Sequence, residues 1–160
     1  MESALSHRAI VTGATGYLGS HLVNELLQAG CNVAVIVRPN ADIAKLGNCL
    51  KSVRVIEAGG DIRTLQSQIL AWQPDIVYHL ASLYIAEHKP EDVESLIRSN
   101  LLFPTQVLEA TRQAGVKRIV NTGTSWQHFH EQEYEAVNLY AATKQAFEML
   151  LDYYVAAYEF

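Results

Sequence analysis

A tyrosine and a lysine four residues apart, Tyr140 and Lys144, form the pair of side chains in this sequence best suited to proton transfer. At that spacing the two side chains lie on one face of a helix. A free phenol has a pKa of about 10, and a fixed ammonium group nearby favours the phenolate and lowers that pKa toward neutrality. Such a tyrosine could exchange a proton with a substrate hydroxyl or carbonyl group. The spacing alone is common on solvated helix faces, so its meaning depends on the rest of the chain.

A glycine-rich stretch near the start of the chain, TGATGYLG at residues 12–19, has the pattern of a phosphate-binding loop. An apolar run precedes it and a helical pattern follows it, and this context separates it from an ordinary glycine-rich turn. The glycines allow a tight turn, close approach of a pyrophosphate and close packing of helix on strand. The free amides of the helix start would face the phosphates. The residues expected to contact a dinucleotide here are Gly13, Thr15, Gly16, Tyr17, Leu18 and Gly19.

The residue that ends the second apolar run bears on which dinucleotide is bound. In dinucleotide-binding folds an acidic residue near this position accepts hydrogen bonds from the adenosine ribose and selects NAD. This sequence has Arg38 there, and a guanidinium group could clamp a 2′-phosphate. We therefore expect NADP, with NAD as the alternative if Arg38 is only a solvated side chain.

Strand and helix patterns alternate along the chain and would position these groups. Near-continuous apolar runs, typical of parallel strands buried on both faces, occur at 9–11, 32–37, 53–57, 76–80 and 118–121. Helical patterns cover 17–28, 41–46, 65–72, 91–113 and 139–158. Pro104 should distort the fourth of these helices locally. The alternation predicts an α/β fold, a doubly wound parallel sheet of the Rossmann type, in one domain spanning 1–160.

Taken together, these motifs resemble the extended short-chain dehydrogenase/reductase family, and within it the branch of sugar-nucleotide epimerases, dehydratases and reductases. The resemblance covers nearly the whole chain in order and spacing. Besides the glycine loop and the Tyr140/Lys144 pair, it rests on Gly60-Asp61-Ile62, His79-Leu80-Ala81, Asn100 and Asn121-Thr122-Gly123-Thr124-Ser125. The runs at 121–122 and 138–140 most resemble those of CDP-deoxyhexose reductases of the abequose- and paratose-synthase type.

The resemblance implies a set of catalytic roles. Tyr140 would be the general acid/base, Lys144 would lower its pKa and hold the nicotinamide ribose, and the Thr124 hydroxyl would orient the substrate oxygen. Ser125 is the alternative hydroxyl, one residue away. Dehydratases of the branch carry an Asp-Glu pair directly after this hydroxyl, whereas this chain has Ser125-Trp126. The departure argues against dehydration and favours an epimerase or a 4-ketoreductase acting on a nucleotide sugar.

The same resemblance implies further contacts with the dinucleotide. These would be made by Asp61, which would accept the adenine amino group, and by Ile62, Leu80, Ala81, Ser82, Asn100 and Lys144. Asp61 could instead cap the helix that follows it. Asn100 lies in the apolar stripe of 91–113, and we expect it mainly to support the geometry of the site.

Two groups of histidines have less specific interpretations. His79 has apolar neighbours and is expected to be a packed strand histidine rather than a base. His128 and His130 form a His-x-His pair, but no third or fourth ligand has suitable spacing, so no metal site is expected.

Composition excludes several classes of partner. The 160 residues are 49% hydrophobic and 18% charged, with a net charge of −5 and no basic stripe, which argues against a nucleic-acid surface. No run is long enough to span a bilayer, and the start lacks a signal-like pattern, so we expect no membrane partner and a cytoplasmic location. Cys31 and Cys49 have no metal or redox spacing.

Two wider expectations follow from the resemblance. Members of the branch are roughly twice as long, because a substrate-binding part follows the cofactor domain, so the chain is expected to be a fragment. A non-catalytic, cofactor-binding sensor or scaffold is the alternative function.

The resemblance also implies an assembly. Helices 91–113 and 139–158 would form a four-helix interface in a homodimer.

Overall fold

Five parallel strands form a single sheet in the computed structural model, which describes residues 7–59 and 61–160. Residues 1–6 and Gly60 lie outside the described residues. The strands are β1 (Arg8–Thr12), β2 (Asn32–Val37), β3 (Val53–Glu57), β4 (Ile76–His79) and β5 (Ile119–Asn121). Their order is β3-β2-β1-β4-β5, and each neighbouring pair is parallel. This is the doubly wound, Rossmann-type arrangement predicted from the sequence.

Helices cover both faces of the sheet. They are α1 (Tyr17–Gln28), α2 (Ile62–Trp72), α3 (Val93–Ile97), α4 (Phe103–Gln113) and α5 (Leu139–Tyr158). On β1, Ile10 packs into a core cluster with α2 and α4, whereas the next residue, Val11, packs into a cluster with α1 on the other face. Successive side chains of a strand point to opposite faces, so a strand covered on both sides needs an unbroken apolar run. No helix in the described part of the chain is long and apolar enough to cross a membrane.

Two of the shorter predicted helices differ in the structure. The pattern at 41–46 is a 3₁₀ run at Ile43–Ser52, interrupted at Gly47, whose φ of 54° is outside the helical region. The helix predicted at 65–72 begins earlier, at Ile62, because Asp61 caps it by accepting a hydrogen bond from the Arg63 amide.

The predicted helix 91–113 is divided into segments. A 3₁₀ turn at Pro90–Asp92 leads into α3, a π-type turn follows at Arg98–Leu102, and α4 begins at Phe103. Pro104 explains the π-type turn, because its ring would clash with the carbonyl four residues earlier and it has no amide hydrogen to donate. The expected distortion therefore falls in the turn before Pro104, and this turn contains Asn100.

Candidate active site

A cleft of about 670 Å³ lies where strands β1, β2 and β4 end. Strand order reverses between β1 and β4, which is where ligands bind in open α/β sheets. Seven residues that the sequence analysis assigned to a dinucleotide line this cleft: Gly13, Thr15, Gly16, Arg38, Leu80, Ala81 and Ser82. The other lining residues were not assigned by the sequence analysis, and among them are the long polar side chains of Lys45, Arg98 and Gln106. These three side chains lie outside the strand ends, so only folding places them there.

A buried threonine that the sequence analysis did not single out holds two of the residues that line the cleft. Thr12 Oγ1 accepts hydrogen bonds from the amides of Leu80 (3.2 Å) and Ala81 (3.1 Å). It also lies 2.9 Å from Nδ1 of His79. Because this oxygen already accepts two amides, its own hydrogen goes to His79 Nδ1. Thr12 thus holds the chain after β4 against the glycine loop.

His79 is a packed strand histidine, as predicted. It is 1% exposed, and burial, together with the positive charge of Lys144, lowers its pKa to about 3. The imidazole is therefore neutral at physiological pH. Its ring packs against Phe103 and Phe147, with centroids 6.0 and 5.5 Å away.

Gly13 leaves room for close approach to the chain after β4. A Cβ at this position would lie 2.7 Å from the Ala81 amide nitrogen and 2.8 Å from the Leu80 carbonyl carbon. Its φ of +70° also favours glycine. Gly19 packs the start of α1 onto the Gly13 carbonyl, as the pattern predicted.

The start of α1 offers main-chain amides to the cleft. Its N-cap residue is Gly16, and no side chain caps the helix, so no protein side chain competes with a ligand for the first-turn N–H groups. The side chains of Tyr17 and Leu18 are 85% and 58% exposed, and neither lines the cleft. Any contact that these two residues make with a phosphate would therefore come from the main chain.

Replacing Gly13 by alanine should abolish measurable dinucleotide binding and lower the free energy of unfolding by about 1–3 kcal/mol. The matched control is Gly30→Ala, because Gly30 also has a positive φ of +80° but a Cβ there meets nothing within 4 Å. Backbone strain is common to both variants, so the difference between their dinucleotide affinities and stabilities measures the effect of the clash with residues 80–81. Calorimetric titration and thermal unfolding check the expectation, and equal dinucleotide affinity in the two variants would contradict it.

Asp61 and Ile62 lie beside the cleft rather than in it. They line an adjoining cavity of about 30 Å³, which shares Ala58, Phe103 and Gln106 with the cleft. The Asp61 carboxylate accepts from the Arg63 amide at 3.3 Å and is exposed. Helix capping therefore occupies one lone pair and leaves others for a ligand.

Asn100 joins the chain after β4 to helix α5. Its side-chain oxygen accepts from the Leu83 amide (2.8 Å) and the Ser82 hydroxyl (3.2 Å). Its amide nitrogen donates to the Leu83 carbonyl (2.9 Å) and to Thr143 Oγ1 (3.0 Å). Both N–H groups and both lone pairs are thus used within the protein. The amide has no capacity left for a ligand, which favours the supporting role over direct contact with the dinucleotide.

Tyr140 lies at the start of α5, which is positioned by its N-cap, Asn138. The Asn138 side chain accepts from the Ala141 amide and donates to the Ala86 carbonyl, both at 2.9 Å. The Tyr140 ring meets Tyr84 edge-on, with centroids 5.0 Å apart. The Tyr84 ring in turn lies 5.8 Å from that of Trp126. Three separate segments, those after β4 and β5 and the start of α5, therefore meet at the Tyr84 ring.

Lys144, four residues after Tyr140 on α5, is buried at 3% exposure. Burial lowers its pKa, and the nearby Glu148 carboxylate opposes that effect. Among the described residues, no hydrogen bond or ion pair to the Lys144 ammonium group is found. A buried ammonium without a protein partner can bind a ligand hydroxyl and stabilise negative charge nearby.

Thr124 is the N-cap of a 3₁₀ turn at Ser125–Gln127, directly after β5. Its hydroxyl oxygen accepts from the Trp126 amide at 3.3 Å, which leaves the hydroxyl hydrogen for a ligand oxygen. Thr124 is half-buried and tied to α5 through Gln127, whereas Ser125 is exposed. Within the described ranges no three His, Cys, Asp or Glu side chains converge as metal ligands would.

Comparison with known proteins gives consistent results. The model of the NAD dependent epimerase/dehydratase family matches residues 9–160. Sterol demethylase protein B of Methylococcus capsulatus is 30% identical over 87% of this chain and 44% of its own length. CDP-abequose synthase of Yersinia pseudotuberculosis is 26% identical over 92% of this chain and 50% of its own.

A solved structure supports the same relationship. UDP-glucose 4-epimerase of Thermus thermophilus, in complex with NAD, superposes with a TM-score of 0.82 at 27% identity. The match covers 95% of this chain and 52% of that one. The chain thus spans about half the length of the relatives it matches.

Proposed function

Because the chain belongs to the NAD dependent epimerase/dehydratase family, we propose that it is the dinucleotide-binding domain of a longer enzyme acting on a nucleotide-linked sugar. Reduction of a 4-keto group or epimerisation is the favoured reaction. The observation that supports the proposal is that seven residues assigned to a dinucleotide line one cleft at the reversal of strand order, while Tyr140 and Lys144 lie four residues apart on α5. The cleft fits a dinucleotide because its volume is about 670 Å³ and because no side chain caps α1, which leaves the first-turn amides for phosphate groups.

The proposed mechanism assigns a separate task to each side chain. A bound nicotinamide dinucleotide would supply or accept the hydride. Tyr140 would give a proton to the substrate oxygen in reduction and take it in oxidation. Thr124 would donate a hydrogen bond to the same oxygen. The buried ammonium group of Lys144 would bind a ribose hydroxyl of the dinucleotide and stabilise negative charge that develops nearby during the proton transfer.

We propose NADP as the preferred cofactor on the basis of charge in the cleft. Arg38 and Lys45 both line it, so two cations are available for a 2′-phosphate. The related epimerase of Thermus thermophilus was solved with NAD, which makes NAD the alternative.

Replacing Arg38 by alanine should weaken NADPH binding about 10- to 100-fold, the range expected for a lost hydrogen bond to a charged group. NADH binding should be unaffected, since NADH lacks the 2′-phosphate. The matched control is Arg118→Ala, because Arg118 is also exposed but does not line the cleft. Calorimetric titration of both cofactors tests this, and equal affinities for NADPH and NADH in the unmodified protein would refute it.

A substrate panel tests the proposed activity of the longer protein. CDP-, UDP- and dTDP-linked 4-keto-6-deoxyhexoses, together with UDP-glucose, would be supplied with NADPH or NADH. Reduction is followed by loss of nicotinamide absorbance, and epimerisation by chromatography of the sugars. Cofactor binding without turnover of any of these sugars would favour the alternative, a cofactor-binding sensor or scaffold.

We also propose a homodimer through the faces of 91–113 and 139–158. Apolar side chains that are 37–57% exposed on these faces are Val93, Ile97, Met149, Leu150, Tyr153 and Val155. Such a patch is costly in water unless another surface covers it. Sedimentation velocity should show a dimer that Ile97→Asp dissociates, whereas Val55→Asp, on an exposed residue of β3 (39%), should not. A strictly monomeric unmodified protein at high concentration would rule the interface out.

A further inference from the structure

A buried glutamine connects the Thr124 turn to the helix that carries Tyr140 and Lys144. Gln127 is 1% exposed. Its side-chain oxygen accepts from the Thr124 amide at 2.8 Å. Its side-chain nitrogen donates to Gln145 Oε1 at 2.9 Å and to Glu148 Oε2 at 2.8 Å. The side chain therefore bonds the turn at one end and α5 at the other.

We propose that Gln127 is a positioning residue, which locks the Thr124 turn onto α5 and so holds the Thr124 and Tyr140 hydroxyl groups in register on one substrate oxygen. The proposal rests on the proposed function. Tyr140, Lys144 and Glu148 follow one another at four-residue intervals along α5, so they share one face of that helix. A bond to Glu148 therefore ties the turn to the face that carries the Tyr140/Lys144 pair.

The main chain of the turn shows how tight this connection is. The Gln127 amide also donates to the Thr124 carbonyl at 3.1 Å, so both main-chain polar groups of Thr124 bond to Gln127. A Cβ on the neighbouring Gly123 would lie 2.9 Å from Glu148 Oε1. The turn and α5 thus approach so closely that a small displacement of either would move the Thr124 hydroxyl relative to Tyr140.

Only an amide satisfies all three partners at once. The Thr124 amide requires an acceptor, and the Glu148 carboxylate requires a donor. A carboxylate at position 127 would meet Glu148 with like charge in a buried site. An apolar side chain of the same length would leave the Thr124 amide and Glu148 without these bonds.

Replacing Gln127 by methionine in the full-length protein should lower kcat about 100-fold, the cost expected when a reacting group moves by about 1 Å. Dinucleotide affinity should not change, because the cleft is lined by other segments. The matched control is Gln132→Met in the same loop, where the glutamine is exposed and makes only a 3.4 Å contact with the His130 carbonyl. That variant should keep the unmodified kcat.

A charge swap separates positioning from general stability. Gln127→Glu should lose activity, and combining it with Glu148→Gln should recover most of it, because the new amide at 148 can donate to the new carboxylate at 127. Folding and dinucleotide binding are measured for every variant. A folded Gln127→Met protein with unchanged kcat would overturn the proposal. If Gln127→Met does not fold, a folded double variant as slow as Gln127→Glu alone overturns it.

Hydrogen exchange tests the hydrogen bond between Gln127 and the Thr124 amide independently of any substrate. The Thr124 amide loses its acceptor in Gln127→Met, so its exchange rate should rise, while it stays unchanged in Gln132→Met. If the unmodified protein turns over no nucleotide sugar, the proposed function fails but this comparison still stands. If the Thr124 amide exchanged at the same rate in the unmodified and Gln127→Met proteins, the positioning role of Gln127 would be refuted independently of the proposed function.

Discussion

Replacing Tyr140 by phenylalanine should lower kcat about 1,000-fold, within the range that general acid–base catalysis contributes. The variant keeps the aromatic ring, so the edge-on packing against Tyr84, with centroids 5.0 Å apart, should persist. Among the described residues, no hydrogen bond of the Tyr140 hydroxyl is found, whereas its main-chain carbonyl accepts from Thr143 Oγ1 at 2.7 Å. The substitution therefore removes the proton donor and leaves the helix intact.

The measurement is single-turnover kinetics in the full-length protein, together with dinucleotide affinity, which should not change. Tyr134→Phe provides the matched control, since Tyr134 is 60% exposed and lies outside the proposed dimer face. A Tyr140→Phe enzyme that retains most of its activity would show that Tyr140 is only a helix-face residue.

Residues 1–160 alone should bind the dinucleotide yet show no turnover of nucleotide sugars. The residues that line the cleft lie between Gly13 and Gln106, well before the end of this chain. At a concentration 100 times Kd, binding should add about 2.7 kcal/mol to the free energy of unfolding. Catalysis requires a substrate held from more than one side, and this chain spans about half of its relatives.

The test pairs a thermal shift on residues 1–160 with turnover of the same sugars by the full-length protein. The thermal shift should increase with dinucleotide concentration, and Gly13→Ala should abolish it. Turnover by residues 1–160 near the full-length rate would show that these residues carry a complete active site. In that case, the expectation that residues 1–160 alone do not turn over nucleotide sugars would be wrong.

Local sequence determined the sheet and the glycine loop. Parallel strands covered on both faces need unbroken apolar runs, so the run at 32–37 matched β2 in full. The bounds predicted at 53–57 also matched β3, although this edge strand carries exposed Arg54 and Glu57. Gly30 and Gly115, just past helix ends, have φ of +80° and +74°, as left-handed C-terminal residues should. The strands and the two helix ends at these glycines depend mainly on residues that are adjacent in the sequence, and the periodicity of apolar residues predicts such local structure well.

Helix ends and distortions were less predictable. Asp61 capped α2 and moved its start to Ile62, and Pro104 was accommodated by a π-type turn rather than by ending the helix. Both outcomes depend on local hydrogen bonds that compete with a regular helix. The pattern of apolar residues contains no information about these hydrogen bonds, so it could not predict where the helices begin or are distorted.

The connections of the candidate site were decided only by the tertiary structure. Asn100 bonds residues 82–83 and Thr143, and Gln127 bonds Thr124, Gln145 and Glu148. Thr12 holds residues 80 and 81 from 68 and 69 positions away. A buried polar side chain must find partners wherever the fold supplies them. The sequence therefore predicted which groups could do the chemistry, whereas packing between distant segments decided what holds them in place.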